Sequence, residues 1–288
     1  MSIHLRAPAT SANLGPGFDC AGMALDFWNE LEVSEADGTV VEVEGEGVSE
    51  TPRDGNHLGL RAFSLITDVE GKRFRFLNRI PFARGLGSSS ATIALGLVAA
   101  CLWEKVEPDP AELLPLAARL EPHADNIAAC LYGGVTLAWE EEGLWRCRRI
   151  ADSLPLDLIA VVPEHSVDTV TARAGLPVEV LHADAAFSSG RAALLGAALA
   201  SGDPQLLTAA FHDRLHEPYR SVAAPLLGQL QEKPAHGSAG VTLSGSGPTV
   251  IVWAHHEEFQ TCAEELTLRF PKCRVLALGV ATGGAGAF

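Results

Sequence analysis

The chain has 288 residues and a formal charge of −15, from 21 lysines and arginines against 36 aspartates and glutamates. Its 47% hydrophobic and 20% charged residues provide for a buried core and exclude a disordered chain, and at about 100–200 residues per domain the length suits two domains or one large one. The acidic balance, with a pI near 5.0, excludes a basic nucleic-acid-binding face, and lysine is scarce, at Lys72, Lys105, Lys233 and Lys272.

In chain order, Ile3 to Ala7 alternates as a strand. Phe27 to Ser34 and Thr39 to Glu44 read as two more, with Gly38 turning between them. Asn56 is placed to cap a helix that turns Leu58, Leu60, Phe63 and Ile66 toward the core. Phe74 to Leu77 is a short strand, and a glycine- and serine-rich loop then feeds ATIALGLVAACLW, a helix apolar on nearly every side and so buried. Pro110 starts a helix running to about Leu120, and Gly133 and Gly134 end another before a strand from Val135 to Trp139. The polar turn at Asp152 to Pro155 marks a domain boundary. Beyond it come a strand from Leu156 to Val162, helices between Ala183 and Leu230, and two strands about a turn at Gly245 to Pro248. A helix from His256 to Phe270 and a strand from Arg274 to Leu278 follow. That order approximates β-α-β-β-α-β, the ferredoxin-like arrangement with extra helices.

The six cysteines are scattered, without the spacing of a zinc knuckle or redox motif, and suit a reducing compartment. The start MSIHLRAPATSANLG lacks the apolar stretch of a signal peptide, and no apolar run reaches the 18 or so residues that span a bilayer. A cytoplasmic location is expected.

The strongest motif is PFARGLGSSSA, residues 81–91, directly before the apolar helix. Glycine tolerates positive φ and holds no ligand away, and the first turn of a helix offers unpaired N–H groups with about half a positive charge. Such a loop can hold phosphate without lysine, although the same composition also makes an ordinary turn. No lysine completes a G-x-x-x-x-G-K-[ST] string and no G-x-G-x-x-G follows a strand, so P-loop NTPases and Rossmann dehydrogenases fit poorly. Ser246 lies in SGSG, with Ser244 where a nucleophile elbow needs glycine, which disfavours a serine hydrolase.

Three further segments can carry chemistry. ATSANLGPGFDCAGMAL, residues 9–25, lets Asn13 or Asp19 approach a ligand closely, or is a tight turn with Asp19 as a helix cap. EPHADN, residues 121–126, sets a carboxylate near the phosphate loop, as Mg²⁺ requires, or merely caps the next helix. TLSGSGPT, residues 242–249, is a strand-turn-strand that need hold no ligand.

In this order and spacing the segments resemble the GHMP small-molecule kinases. PATSANLGPGFD is similar to the family's first motif, PFARGLGSSSA to its second, ATP-binding motif, and LSGSGPT to its third. EPHADN and HEPYR, residues 216–220, resemble segments of the members that phosphorylate an amino acid. The likeness runs from Ala7 to about Val252. It implies an α+β, two-domain GHMP kinase fold: a ribosomal-protein-S5-domain-2-like domain over residues 1–152 and a ferredoxin-like domain over 153–288. The implied reaction is ATP plus L-homoserine giving ADP and O-phospho-L-homoserine, a step toward threonine, with Mg²⁺ as metal and a homodimer as the common assembly.

The resemblance also implies roles. Residues 81–91 (Pro81, Arg84, Gly85, Leu86, Gly87, Ser88, Ser89, Ser90 and Ala91 among them) would wrap the triphosphate, with Arg84 on a phosphate and Asn56 at the adenine. Ser89, with Ser88 beside it, and Glu121 would hold Mg²⁺. Homoserine is a zwitterion: its ammonium suits Asp19 and Asp125, with Asn13 and His123 as further polar contacts, and its carboxylate suits the arginine forks of Arg173 and Arg220. Catalysis is expected to be direct attack aided by Asn126, Arg173 and the metal, since phosphoryl transfer rests mainly on positioning and charge neutralisation.

Ser90 stands where relatives commonly have alanine and Ala124 where proline is frequent, both small changes. Arg191, in AFSSGRAALL, receives no role because that segment departs from the pattern. A different GHMP kinase acting on mevalonate would keep the phosphate loop but tends to begin with Pro-Gly-Lys, where this chain has Pro8, Ala9 and Thr10. A non-catalytic sensor on the same fold would not need Glu121 beside Ser88 and Ser89. Cys20, inside the first motif, is expected to pack rather than react.

Overall fold

The computed structural model describes residues 2–288, and two β-sheets organise them. In the first sheet, β1 (Ser2–Ala12) and β2 (Ala21–Glu35) pair antiparallel from Ser2 opposite Ser34 to Ala12 opposite Gly22, with a register shift between Pro8 and Ala9. Both strands outrun the sequence expectation. The added inner residues, Ala9 to Ala12 and Ala21 to Leu25, are buried on both faces, so they show no alternation. β3 (Val40–Gly45) lies parallel to β4 (Lys72–Asn78), and between them comes the short helix α1 (Leu58–Phe63). The cap of α1 is His57 rather than Asn56: His57 Nδ1 accepts from Gly59 N at 3.1 Å, while Asn56 turns back to Asp54.

α2 (Ser88–Trp103) begins three residues before the apolar run and is buried along most of its surface against α1 and β1. α3 (Pro110–Ala117), capped by Asp109, and α4 (Ala124–Tyr132) follow. β5 (Val135–Glu141) and β6 (Leu144–Ala151) then form a hairpin, turning at Glu142 and Gly143, both with positive φ. β6 has no counterpart in the sequence expectation, because Arg146, Arg148 and Arg149 break up its apolar pattern.

The second sheet starts with β7 (Asp157–Val162). Five helices follow: α5 (Thr169–Ala174), α6 (His182–Ser201), α7 (Pro204–Ala210), α8 (Glu217–Arg220) and α9 (Pro225–Glu232). β8 (Ser238–Leu243), β9 (Val250–Ala254), α10 (Phe259–Arg269) and β10 (Arg274–Leu278) complete it. The strand order β10-β7-β9-β8, antiparallel throughout, is the ferredoxin-like arrangement. α10 starts at Phe259, after a 3₁₀ turn over His256–Glu258.

The last strand, β11 (Gly286–Ala287), crosses back to pair with β1, Leu5 opposite Ala287. The first sheet is therefore built from two stretches of chain, and a simple cut into 1–152 and 153–288 leaves out that return. One core joins both halves, running from Ile93 and Leu97 of α2 through Leu5 to Leu158, Ala160 and Trp253 on one face of the second sheet. Ile159, Val161, Val250 and Val252, on the opposite face by strand alternation, form a second core with Leu227 of α9 and Leu266 of α10. Among the described residues no helix is long and apolar enough to cross a membrane.

Candidate active site

The loop from β4 to α2 passes through positive φ at Ala83, Gly85 and Gly87. Gly87 is the N-cap of α2 and offers no side-chain cap, and the first helical bond runs from Ala91 N to Gly87 O. The N–H groups of Ser88, Ser89 and Ser90 are thus left without helical acceptors, the arrangement that binds anions. Only glycine fits the threading: a β-carbon on Gly87 would lie 1.8 Å from Thr10 Oγ1, and one on Gly85 2.3 Å from Ser244 O. Thr10 N donates to Leu86 O at 3.1 Å and Ser244 Oγ to Gly85 O at 2.6 Å, so the first and third glycine-rich segments clamp the second.

Within this loop the side chains divide. Pro81, Leu86 and Ala91 are buried in the core and can offer a ligand only backbone. Ser88 and Ser89 face a cavity of about 290 Å³, and buried Ser90 donates to Glu121 Oε2 at 3.1 Å. Arg84 reaches the rim of this cavity, yet its guanidinium donates to the carbonyls of Phe82, Pro163 and Glu164 at 2.7, 3.1 and 2.6 Å. It ties the loop to the end of β7, a role that its place in the motif does not reveal.

The same cavity is lined by Asn13, Asp19, His123, Asp125, Arg173 and Arg220. Asn126 is there too. Asn13 and Asp19 both adopt left-handed backbone, a strain that clusters at functional sites. Asn13 Oδ1 accepts from Asp19 N at 3.0 Å, and its amide donates to Gly245 O, which also accepts from Arg220, each at 3.0 Å. Arg173 Nη2 is 2.5 Å from Asp19 Oδ1 and 3.0 Å from His123 Nδ1. An arginine only donates, so His123 Nδ1 is an acceptor and the ring is neutral. Burial first, and then the Arg173 charge, hold its pKa below the ordinary histidine value.

Asp125 is buried and its pKa is pushed up to about 7 by desolvation, against the bond it accepts from Asn126 N at 2.7 Å. Asn126 Oδ1 accepts from Thr10 Oγ1 at 2.8 Å, which fixes the amide between the phosphate loop and Asp125. Burial also raises the Glu121 carboxyl, opposed by hydrogen bonds from Ser90 and Ser89. Among the described residues no group of three or more histidines, cysteines or acids could hold a metal unaided. One carboxylate and one hydroxyl beside a phosphate cradle fit Mg²⁺, which takes few protein ligands and shares phosphates and water. Cys20 is half-buried, and burial raises its thiol pKa, so it stays protonated.

Asn56 lies elsewhere. It lines a second cavity of about 230 Å³ with His57, Leu58 and Thr92, and this cavity shares Phe82, Ser88 and Ser89 with the first. The phosphate loop therefore stands between two openings. Thr10, through Asn126, and Gly245, through Asn13 and Arg220, also build the site, although only their presence in the motif strings signals them.

Two family models match the chain, the GHMP kinases N terminal domain over residues 57–134 and the GHMP kinases C terminal domain over 186–272, together more than half its length. The chain belongs to the GHMP kinase family. A homoserine kinase of Streptomyces coelicolor is 45% identical over 262 residues, covering 88% of this chain and 84% of that one. A homoserine kinase of Gloeobacter violaceus is 38% identical over 97% of both chains. The crystal structure of homoserine kinase from Cytophaga hutchinsonii superposes with a TM-score of 0.87 at 27% identity, covering 100% of this chain and 97% of that one. Within the family, then, these relatives at 38% and 45% identity over most of the chain are homoserine kinases.

Proposed function

We propose that the chain transfers the γ-phosphoryl group of ATP to the side-chain hydroxyl of L-homoserine, giving O-phospho-L-homoserine and ADP on the way to threonine. One observation carries this reading: two carboxyls, Asp19 and Asp125, and two guanidiniums, Arg173 and Arg220, line one small cavity that opens onto the Ser88–Ser89 end of the phosphate loop. That is the complement of a zwitterion next to a phosphate site.

Asp19 and Asp125 take the ammonium, with Asn13 holding Asp19 in place, and Arg220 takes the carboxylate. Backbone N–H groups of residues 85–91 hold the phosphates, and the cavity at Asn56 takes the base. Ser89 and Glu121 would hold Mg²⁺, which when bound neutralises phosphate charge. In the transfer the homoserine oxygen bonds to the γ-phosphorus as the bond to the β–γ bridging oxygen breaks, the hydroxyl proton passes to a non-bridging oxygen of the transferring phosphoryl group, and ADP is the leaving group. Asn126 orients the hydroxyl, and Arg173, released from Asp19 by the substrate ammonium, stabilises the transferring charge. Six unpaired thiols suit a reducing compartment, and we place the enzyme in the cytoplasm.

A second assignment has support from the buried carboxyl of Asp125, whose pKa of about 7 suits a general base. Asp125→Asn separates the two. A rise in the homoserine KM marks ammonium binding, whereas an unchanged KM with kcat lower by several orders of magnitude marks the base.

The activity itself is tested by ADP release with L-homoserine, mevalonate and galactose in parallel. Turnover on homoserine alone is expected, and turnover on either of the others without homoserine would redirect the assignment.

A further inference from the structure

His216 is wholly buried, lies outside the substrate cavity, and has no part in the chemistry above. Its ring is stacked on Phe18, with centroids 5.0 Å apart and planes at 18°. Nε2 is 2.8 Å from Gly15 O, and Nδ1 is 3.2 Å from Arg220 Nη1. A carbonyl oxygen can only accept, so Nε2 carries the hydrogen. The guanidinium can only donate, so Nδ1 must present its lone pair. The two contacts select one neutral tautomer, and a protonated ring would set an N–H against an N–H.

Two neighbours hold this arrangement. Asp213 accepts from the backbone N–H groups of Leu215, His216 and Glu217, which fixes the start of the short helix that carries Arg220. Its carboxylate stands 3.7 Å from His216 Nε2, beyond hydrogen-bond reach. Phe18 lies 5.4 Å from the guanidinium carbons of both Arg220 and Arg173. Arg220 Nη1 is thereby saturated by His216 and Gly245 O, while buried Nε has no partner among the described residues and the guanidinium borders the cavity.

We propose that His216 is a positioning residue for amino-acid recognition: its Nδ1 lone pair and Gly15-anchored ring lock the rotation of Arg220 so that the free side of the fork faces the carboxylate of the substrate. The proposal rests on the assignment of Arg220 to that carboxylate. It gives a role to the contacts that His216 and Arg220 make with Gly15 and Phe18, which come from the opposite half of the chain.

The test uses three substitutions of His216 in the full-length enzyme, with KM for L-homoserine, KM for ATP, kcat and melting temperature measured for each. His216→Phe keeps the ring on Phe18 but loses both hydrogen bonds. His216→Gln can still donate to Gly15 O but puts no acceptor where Nδ1 stood. His216→Asn keeps an acceptor near that position and loses the ring. The expected result is a homoserine KM about tenfold higher or more for Phe and Gln, an ATP KM within about twofold, and a homoserine KM partly restored by Asn. A packing role alone predicts the reverse ranking, with Phe best and Asn worst, and that result overturns the proposal. If the Phe variant does not fold, the Gln-to-Asn comparison decides by the same criterion. Arg220→Lys tells the two levels apart. If it leaves the homoserine KM unchanged, the carboxylate assignment falls; if it raises KM while Phe and Gln at 216 do not, only the role of His216 falls.

Discussion

Arg173 and Asp19, 154 residues apart in sequence, meet at 2.5 Å across the cavity, each about one-third exposed. Neither is spare: Asp19 is held by Asn13, and Arg173 also reaches His123. The pair joins the first motif to α5, so the ligand that enters must offer each partner a replacement. A zwitterion does so, with its ammonium for Asp19 and its carboxylate and phosphoryl charge for the arginines.

Asp19→Asn keeps the shape and removes the charge. A charge-assisted hydrogen bond is worth about 1.5–3 kcal/mol, so the homoserine KM should rise about 10- to 100-fold while the ATP KM stays put. Initial rates in a coupled ADP assay measure both. An equal rise in the two constants would mean that Asp19 supports the whole cleft rather than the amino acid.

Gly87→Ala tests the cradle. A β-carbon there meets Thr10 Oγ1 at 1.8 Å, at a φ of +67° that costs an L-residue about 1–2 kcal/mol. The variant should melt lower by roughly 3 °C or more and bind ATP at least about tenfold more weakly, read by differential scanning fluorimetry and calorimetric titration. Unchanged nucleotide affinity would place the phosphates elsewhere.

Glu217 is buried and in no ion pair among the described residues, the Arg220 charge being the weakest of the influences on it. Its Oε1 accepts from Leu243 N at 2.8 Å, and desolvation pushes its pKa from 4.5 to about 8. Between those values the folded protein keeps a proton that the unfolded chain has released, so stability falls as pH rises, and the loss levels off above about 8. Glutamine cannot ionise and can still accept from Leu243. Glu217→Gln should therefore gain melting temperature over the parent progressively from about pH 5 to pH 8, and parallel melting curves across that range would refute the assignment.

Cys20→Ala should leave kcat/KM within about twofold, because a half-buried, protonated thiol is a poor nucleophile and touches no expected substrate group. A larger loss, with the melting temperature unchanged, would give the thiol a direct role.

What the sequence made legible follows from the range of the interactions involved. The ferredoxin-like order emerged because β7 to β10 are short apolar runs separated by clear turns. β6 did not, since its stability comes from pairing with β5 rather than from its own arginine-rich pattern. The inner ends of β1 and β2 were hidden because Ala9 to Ala12 and Ala21 to Ala24 are buried on both faces and, Met23 apart, small, so they carry a weak periodic signal. β11 is two residues long and exists only by pairing with the start of the chain. At the site, motif strings named the residues that converge, but not how each is used. The string puts Arg84 at a phosphate but does not show that its guanidinium also donates to three carbonyls, and it holds His216 without showing the contact of that ring with Arg220.

The most direct measurement is ³¹P NMR of the reaction mixture with ATP, Mg²⁺ and L-homoserine. A new phosphomonoester resonance, coupled to the γ-methylene protons of homoserine and rising one for one with ADP, is the predicted result. ADP appearing with inorganic phosphate only, or a resonance without that methylene coupling, would contradict phosphorylation of the homoserine hydroxyl.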